Sequence, residues 1–279
     1  MNRVRRRVLL ALAAPASLAP TGARAQSGPQ PLRVGLAPYL SPAALLTVFR
    51  PLREHLERAL AQPVELLTAR DFVALAAAVR AGEYELALLP AHMARLAVTD
   101  WGWQPMARTV ITTEVVVLVS SEGPVTRLAD LRGRRVGMLD LHSLSAAVGV
   151  QWLRTQQLSD TVEIAALPSI NSALHALAVD EVAAVVAATS QLLSLPPGTP
   201  TNYRPLARLR DIPGPWHVAR SALPASTLQR LREALLAFEP DPLRPATAAN
   251  SRLTPLTLAD TERVDAHAAF LRRQLAQPR

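Results

Sequence analysis

The sequence contains no cysteine and no lysine. Without thiols there is no disulfide framework, so an exported form of this chain must stand on its hydrophobic core, and it cannot carry the lipid-modified cysteine of a bacterial lipoprotein. The missing lysine leaves arginine as the source of all 30 basic residues. That points to the base composition of the coding sequence rather than to function, because arginine replaces lysine on most solvated surfaces. Aromatic residues make up only 4%, and alanine and leucine carry the apolar load. Also missing are a Gly-x-Ser-x-Gly elbow, a His-Glu-x-x-His pair, and any metal-ligand spacing among the six histidines. Nothing in the spacing supports a nucleophile with its base or a metal centre. No metal, cofactor or catalytic residue is therefore expected, and an enzyme is the lesser reading.

Hydrophobic residues form 49% of the 279, enough for a sizeable core and against wholesale disorder. Residues 1–25 read as a cleavable secretory signal. Arg3, Arg5, Arg6 and Arg7 form its positive end, Val8 to Ala14 starts its apolar stretch, and Ala23-Arg24-Ala25 fits a small-x-small cleavage site. Pro15 breaks the apolar stretch, which is too short to span a bilayer. Arg6-Arg7-Val8-Leu9-Leu10 also loosely resembles a twin-arginine signal. Removing 1–25 removes five arginines and no acid, so the formal charge falls from +8 to +3. No clustered basic stripe remains, and a nucleic-acid partner loses its support. The expected mature protein is soluble and periplasmic.

The body of the chain alternates between strand and helix patterns. Strands are expected at Leu32–Ala37, Val64–Thr68 and Tyr84–Leu89. A helix over Pro42–Leu60 is interrupted or restarted at Pro51, another follows Asp71 and ends at Gly82, and a short one covers Ala91–Val98. The β-branched run Glu114–Ser120 opens a second alternation of the same layout, with strands at Val136–Leu139, Val162–Leu167 and Ala183–Ala187. A strand at Trp216–Arg220 and two helices, Pro224–Phe238 and Leu258–Leu275, complete it. This order suits an α/β fold of two three-layer lobes, the second inserted in the first. The expected spans are 26–112 for the first part of lobe 1, 113–217 for lobe 2, and 218–279 for the return to lobe 1. The crossings fall near Thr112–Val115 and Ile212–His217.

Ligands of such sheets bind beyond the carboxyl ends of the strands. The stretch that draws attention is Arg134 to Ala147, a strand feeding a helix through Ser143 and Ser145. Hydroxyls and unpaired N–H groups at a helix start form a ready anion site. Ser143 is either a ligand contact or a simple N-cap, and both roles are compatible.

Several segments resemble the substrate-binding proteins of phosphate, phosphite and phosphonate ABC transporters. They are Leu32-Arg-Val-Gly-Leu-Ala-Pro-Tyr39, Phe49-Arg-Pro-Leu-Arg-Glu-His-Leu56, Ala78-Val-Arg-Ala-Gly-Glu-Tyr-Glu-Leu-Ala87, Leu128-Ala-Asp-Leu-Arg-Gly-Arg-Arg-Val-Gly137 and Ile212-Pro-Gly-Pro-Trp216. No one segment is unique; their order and spacing carry the likeness across nearly all of the mature chain. The resemblance implies a type II periplasmic-binding-protein fold with a two-strand hinge, closing on a small anion and presenting it to a membrane permease. In the family a Ser-Thr-Ser-Gly turn holds the phosphonate oxygens. The matching residues here are Ser143, Leu144, Ser145 and Ala146, so two hydroxyls survive.

Other positions depart from the family pattern. Phe72 replaces a ligand-contacting tyrosine, and Leu89 stands where an aromatic often ends the third strand. Asn171 lies beside the position of the family histidine, and Ala183 matches an acidic residue, which removes an expected contact for an aminoalkyl phosphonate. Tyr39 is a cleft lid or a strand-end contact. His92, at the turn from the third strand into a helix, either faces the cleft or packs on the surface. His217 reads as structural.

The function expected from residues and resemblance together is capture of a small oxyanion, phosphate-, phosphonate- or sulfonate-like, for an ABC-type importer by a monomeric protein. The rival readings are a ligand-sensing adaptor for a membrane receptor kinase and an enzyme built on the same fold.

Overall fold

The computed structural model describes residues 30–277 apart from 193–194 and 196–197, so the expected export segment lies outside the described residues. The first alternation unfolds as expected from its periodicity. β1 (Leu32–Leu36) leads to α1 (Pro42–Val48), which stops at Phe49, and α2 (Arg50–Leu60) starts at once with Pro51 in its first turn. A proline there lacks only an N–H that would be unpaired anyway, so it restarts the helix instead of kinking it. β2 (Val64–Thr68) and α3 (Phe72–Ala81) follow. Asp71 caps α3 by accepting the Ala74 N–H, and Gly82 closes it in the left-handed region at φ +70°. β3 (Leu86–Leu89), α4 (Ala91–Asp100) and β4 (Trp103–Thr109) complete this part.

The second alternation is β5 (Thr112–Ser120), a 3-10 turn at Leu128–Leu131, β6 (Arg135–Met138), α5 (Leu144–Thr155), β7 (Glu163–Ala166), α6 (Ile170–Ala178), β8 (Ala184–Ala188), the one-turn α7 (Thr189–Leu192) and β9 (Tyr203–Pro213). The chain returns through β10 (Trp216–Arg220), α8 (Ala225–Leu236), β11 (Leu253–Thr254) and α9 (Leu258–Ala276).

Two mixed sheets result. One has the order β11-β4-β10-β3-β1-β2 and the other β7-β6-β8-β5-β9. In each, three parallel strands are joined by an antiparallel strand arriving from the other half of the molecule: β10 beside β3, and β5 beside β8. Each sheet is covered on both faces. Leu36, Leu56 and Leu88 belong to one core of the first sheet, and Leu89, Met93 and Trp216 to the other. Val117, Met138 and Ala147 lie on one face of the second sheet, and Val116, Leu174 and Val185 on the other. We refer to the body around each sheet as a lobe.

The lobes are joined where β4 passes into β5 and β9 into β10. Thr109 donates to the Pro215 carbonyl from its backbone at 3.1 Å and from its hydroxyl at 3.2 Å. A side chain at Gly214 would collide with the Ile111 carbonyl and the Thr109 hydroxyl, so only glycine lets the two crossings run this close.

Three strands escape the sequence pattern: the two-residue β11, and β4 and β9. β4 carries Pro105 beside a bulge, and β9 carries Pro205 among alternating arginines on the open edge of its sheet. Proline is tolerated at bulges and edges because no ladder hydrogen bond is lost there. The C-terminal helix is shared between the lobes. Val264 and Leu271 of α9 belong to a first-lobe core, while Phe270 is buried in the core of the second sheet. Among the described residues no helix is long and apolar enough to cross a membrane.

Candidate functional site

The carboxyl ends of β2 and β3 lie against that of β6, and the lobes meet there. The first turn of α4 supplies His92, which is 0% exposed. Its Nε2 lies 3.0 Å from the His142 carbonyl in the β6–α5 turn of the other lobe. A carbonyl only accepts, so Nε2 carries the proton and Nδ1 the lone pair. That Nδ1 is buried without a partner. Burial pushes the His92 imidazole down to about 3, against the raising effect of the bond to His142, so the ring is neutral.

The β6–α5 turn is tied by Asp140, which accepts the His142 backbone N–H at 2.9 Å and its ring Nδ1 at 2.7 Å. Burial works to raise the Asp140 carboxyl. The bonds from the His142 ring and backbone outweigh it, the Phe72 N–H across the seam adds to them, and the carboxyl is held below its ordinary value.

Beyond this turn Ser143 caps α5, accepting the Ala146 N–H at 3.3 Å, and its hydroxyl lies 3.1 Å from that of Ser145. The two serines are 5% and 6% exposed. Leu144 between them packs against the second-lobe core. A similar device opens α6. Ser169 accepts the Ser172 N–H at 3.0 Å, with the two hydroxyls 2.9 Å apart. Two helix starts with paired hydroxyls thus stand at the ends of adjacent parallel strands. Together they concentrate O–H and N–H donors and the positive ends of two helix dipoles.

The other residues singled out from sequence fall in different places. Tyr39 and Phe72 form an edge-to-face pair with ring centroids 6.1 Å apart, on the lobe facing the serines. Tyr39 is 42% exposed, and its ring edge meets Phe72. Leu89 is completely buried in the first-lobe core, on the ladder opposite Trp216. Asn171 accepts a bond from Thr199 at 2.8 Å. Thr189 is held by Glu114, which also takes Arg208 and Arg210.

Ala183 precedes β8, and its N–H bonds the Arg135 carbonyl at the start of β6. It sits at the amino end of the parallel strands β6 and β8. His217 is buried with neither ring nitrogen bonded, and desolvation pushes it down to about 3. Asp140, His142 and His267 were not singled out from sequence as seam residues. The Asp-x-His spacing of the first two is a turn signal, whereas nothing near His267 in the chain announces its neighbours. Among the described residues no group of three histidine or acidic side chains could hold a metal ion.

The sequence profile of the family described as ABC transporter, phosphonate, periplasmic substrate-binding protein matches residues 34–264. The chain belongs to this family. Its fold is shared with XAC2383 from Xanthomonas citri, solved with chloride, at TM-score 0.72 and 17% identity over 87% of this chain and 97% of that one. PhnD1 from Prochlorococcus marinus, solved with methylphosphonate, superposes with TM-score 0.72 at 12% identity, covering 88% and 100% of the two chains. The periplasmic aliphatic sulphonate binding protein SsuA from Escherichia coli gives 0.54 at 17% identity over 89% and 77%. These likenesses establish the type II periplasmic-binding fold expected from the sequence. The family consists of transporter components that bind a small ligand and serve a membrane permease.

Proposed function

We propose that this member of the family captures a small phosphorus- or sulfur-containing oxyanion between its lobes, holds it without chemistry, and delivers it to an ABC permease in the inner membrane. The observation that carries the reading is the pair of serine-capped helix starts, Ser143/Ser145 at α5 and Ser169/Ser172 at α6, at the carboxyl ends of two adjacent parallel strands. An oxyanion there exchanges water for hydroxyls and backbone donors aligned with two helix dipoles. Ser143 and Ser145 are its primary contacts. Tyr39 and Phe72 enclose it from the facing lobe, and His92 and Asn171 border it. The protein acts as a monomer after export and loss of residues 1–25, with the lobes divided near the two crossings.

A thermal-shift screen of the chain without residues 1–25 tests this reading. Methylphosphonate, inorganic phosphate or methanesulfonate raises Tm, and organic acids and amines do not. By mass action a ligand at a hundredfold its Kd adds about 2.7 kcal/mol. Changing Ser143→Ala and Ser145→Ala together abolishes that shift; an undiminished shift removes the anion role from this turn.

A further inference from the structure

Three of the six histidines in the sequence converge where the lobes meet, each from a different element: His92 from α4, His142 from the β6–α5 turn and His267 from α9. His267 lies beside the Ala147 backbone of α5, with its Nδ1 buried and unpartnered. His92 donates across the seam, and its Nδ1 lone pair faces no donor. A second proton on His92 would create a buried N–H with no acceptor, next to two other imidazoles.

Several carboxylates on the surrounding elements are already engaged by other partners. Asp140 is already bonded twice by His142, and Asp71 of α3 takes the Ala74 N–H and Arg70. On the elements packed against α4, Asp265 and Asp260 of α9 are paired with Arg95 at 2.6 Å and with Arg108 of β4 at 2.8 Å. Asp100 at the end of α4 holds Arg272 of α9 at 2.7 Å.

We propose that this histidine seam makes lobe closure proton-sensitive: His92 must be neutral for the lobes to meet, and its protonation drives them apart and releases the ligand. The regulation rests on the reading that the ligand lies between the lobes. The closure itself does not need a ligand to be tested. With the lobes apart, His92 is solvated and takes up a proton near the ordinary histidine value of roughly 6.5. With them together, burial depresses it to about 3. The closed form binds fewer protons over that interval, so its population falls as pH drops below about 6.5. Relative to neutral pH, the closed-to-open ratio falls about tenfold at one unit below that value and about a hundredfold at two.

The absence of cysteine permits a clean distance measurement. Arg58→Cys on α2 and Ala178→Cys on α6, both exposed and on opposite lobes, accept a pair of fluorescent or spin labels. Without ligand, the short distance at pH 7.5 gives way to a longer one between about pH 6 and 4.5. With methylphosphonate present, its apparent affinity falls over the same range. A distance that stays constant from pH 7.5 to 4.5 overturns the proposal. If the distance responds but methylphosphonate, phosphate and methanesulfonate fail to bind at any pH, the oxyanion reading falls and the seam stands.

His92→Gln keeps a donor for the His142 carbonyl and does not titrate, so it holds the short distance throughout. Opening with the wild-type midpoint in that variant refutes the role of His92. Should the variant not fold, histidine ring signals of the wild-type protein decide. His92 titrates only together with opening, and an independent titration near 6.5 while the labels remain close overturns the proposal.

Discussion

Phe270→Ala probes the least local feature of the fold. Phe270 is 6% exposed and packs among Val117, Met138 and Ala147 of the second lobe. The helix that carries it is anchored to the first lobe by Val264, Leu271 and the Arg95–Asp265 and Arg272–Asp100 pairs. Truncating a buried phenylalanine removes its transfer free energy and leaves a cavity, together about 3–5 kcal/mol. At roughly 2–4 °C per kcal/mol for a chain of this size, Tm falls by about 6–20 °C. Leu271→Ala, one residue further on and 0% exposed, serves as control, because it removes contacts in the first lobe only. Urea unfolding gives the free energies. The label pair on α2 and α6 gives the lobe separation, which lengthens for Phe270→Ala and not for Leu271→Ala. A loss below about 1 kcal/mol for Phe270→Ala, or equal separations in the two variants, would refute the view that α9 fastens one lobe to the other.

Gly214→Ala forces the two crossings apart, because the new methyl group meets the Ile111 carbonyl and the Thr109 hydroxyl, and urea unfolding should record a loss of roughly 3 kcal/mol. Asp260 accepts from Thr257 and Arg108, and although its burial opposes ionisation, these partners hold its carboxyl below the ordinary value. Its contribution is present above the unfolded-state value of about 4 and disappears as pH falls through the lower folded-state value. Asp260→Asn therefore lowers stability by about 2 kcal/mol at pH 7 and flattens the acid limb of the pH–stability curve. His217 is buried with both nitrogens unbonded. Its depressed value means that stability is full above about 6.5 and is lost as pH falls toward 3, by about 1.4 kcal/mol per pH unit. His217→Leu removes an unsatisfied group, so it leaves stability equal or higher at pH 7 and makes it less pH-dependent. A loss above about 2 kcal/mol at pH 7 would mean that the imidazole has a polar partner.

The elements with a clean period were legible in the chain. The leucine face of α2, the Asp71 and Gly82 boundaries of α3 and the valine run of β5 are local patterns, and the pattern alone decides which face is buried. The layout of two successive alternations, and with it the family, follows from the same local signals in order. Ser143 could be read as the cap of α5 because a hydroxyl at a helix start accepts a local N–H wherever the helix lies.

What each residue faces was settled by packing. Leu89 ends a strand at the seam but turns into the core opposite Trp216, and Ala183 falls at the amino end of its parallel strands. β4 and β9 contain prolines that mark a break in a local reading, yet sheet position makes them harmless. His92, His142 and His267 are far apart in sequence, and only the meeting of two lobes and a shared C-terminal helix gives them a common environment. Local sequence carries periodicity and capping, which depend on neighbours in the chain. Burial and charge at the seam depend on neighbours in space, and those exist only once both sheets have formed and met.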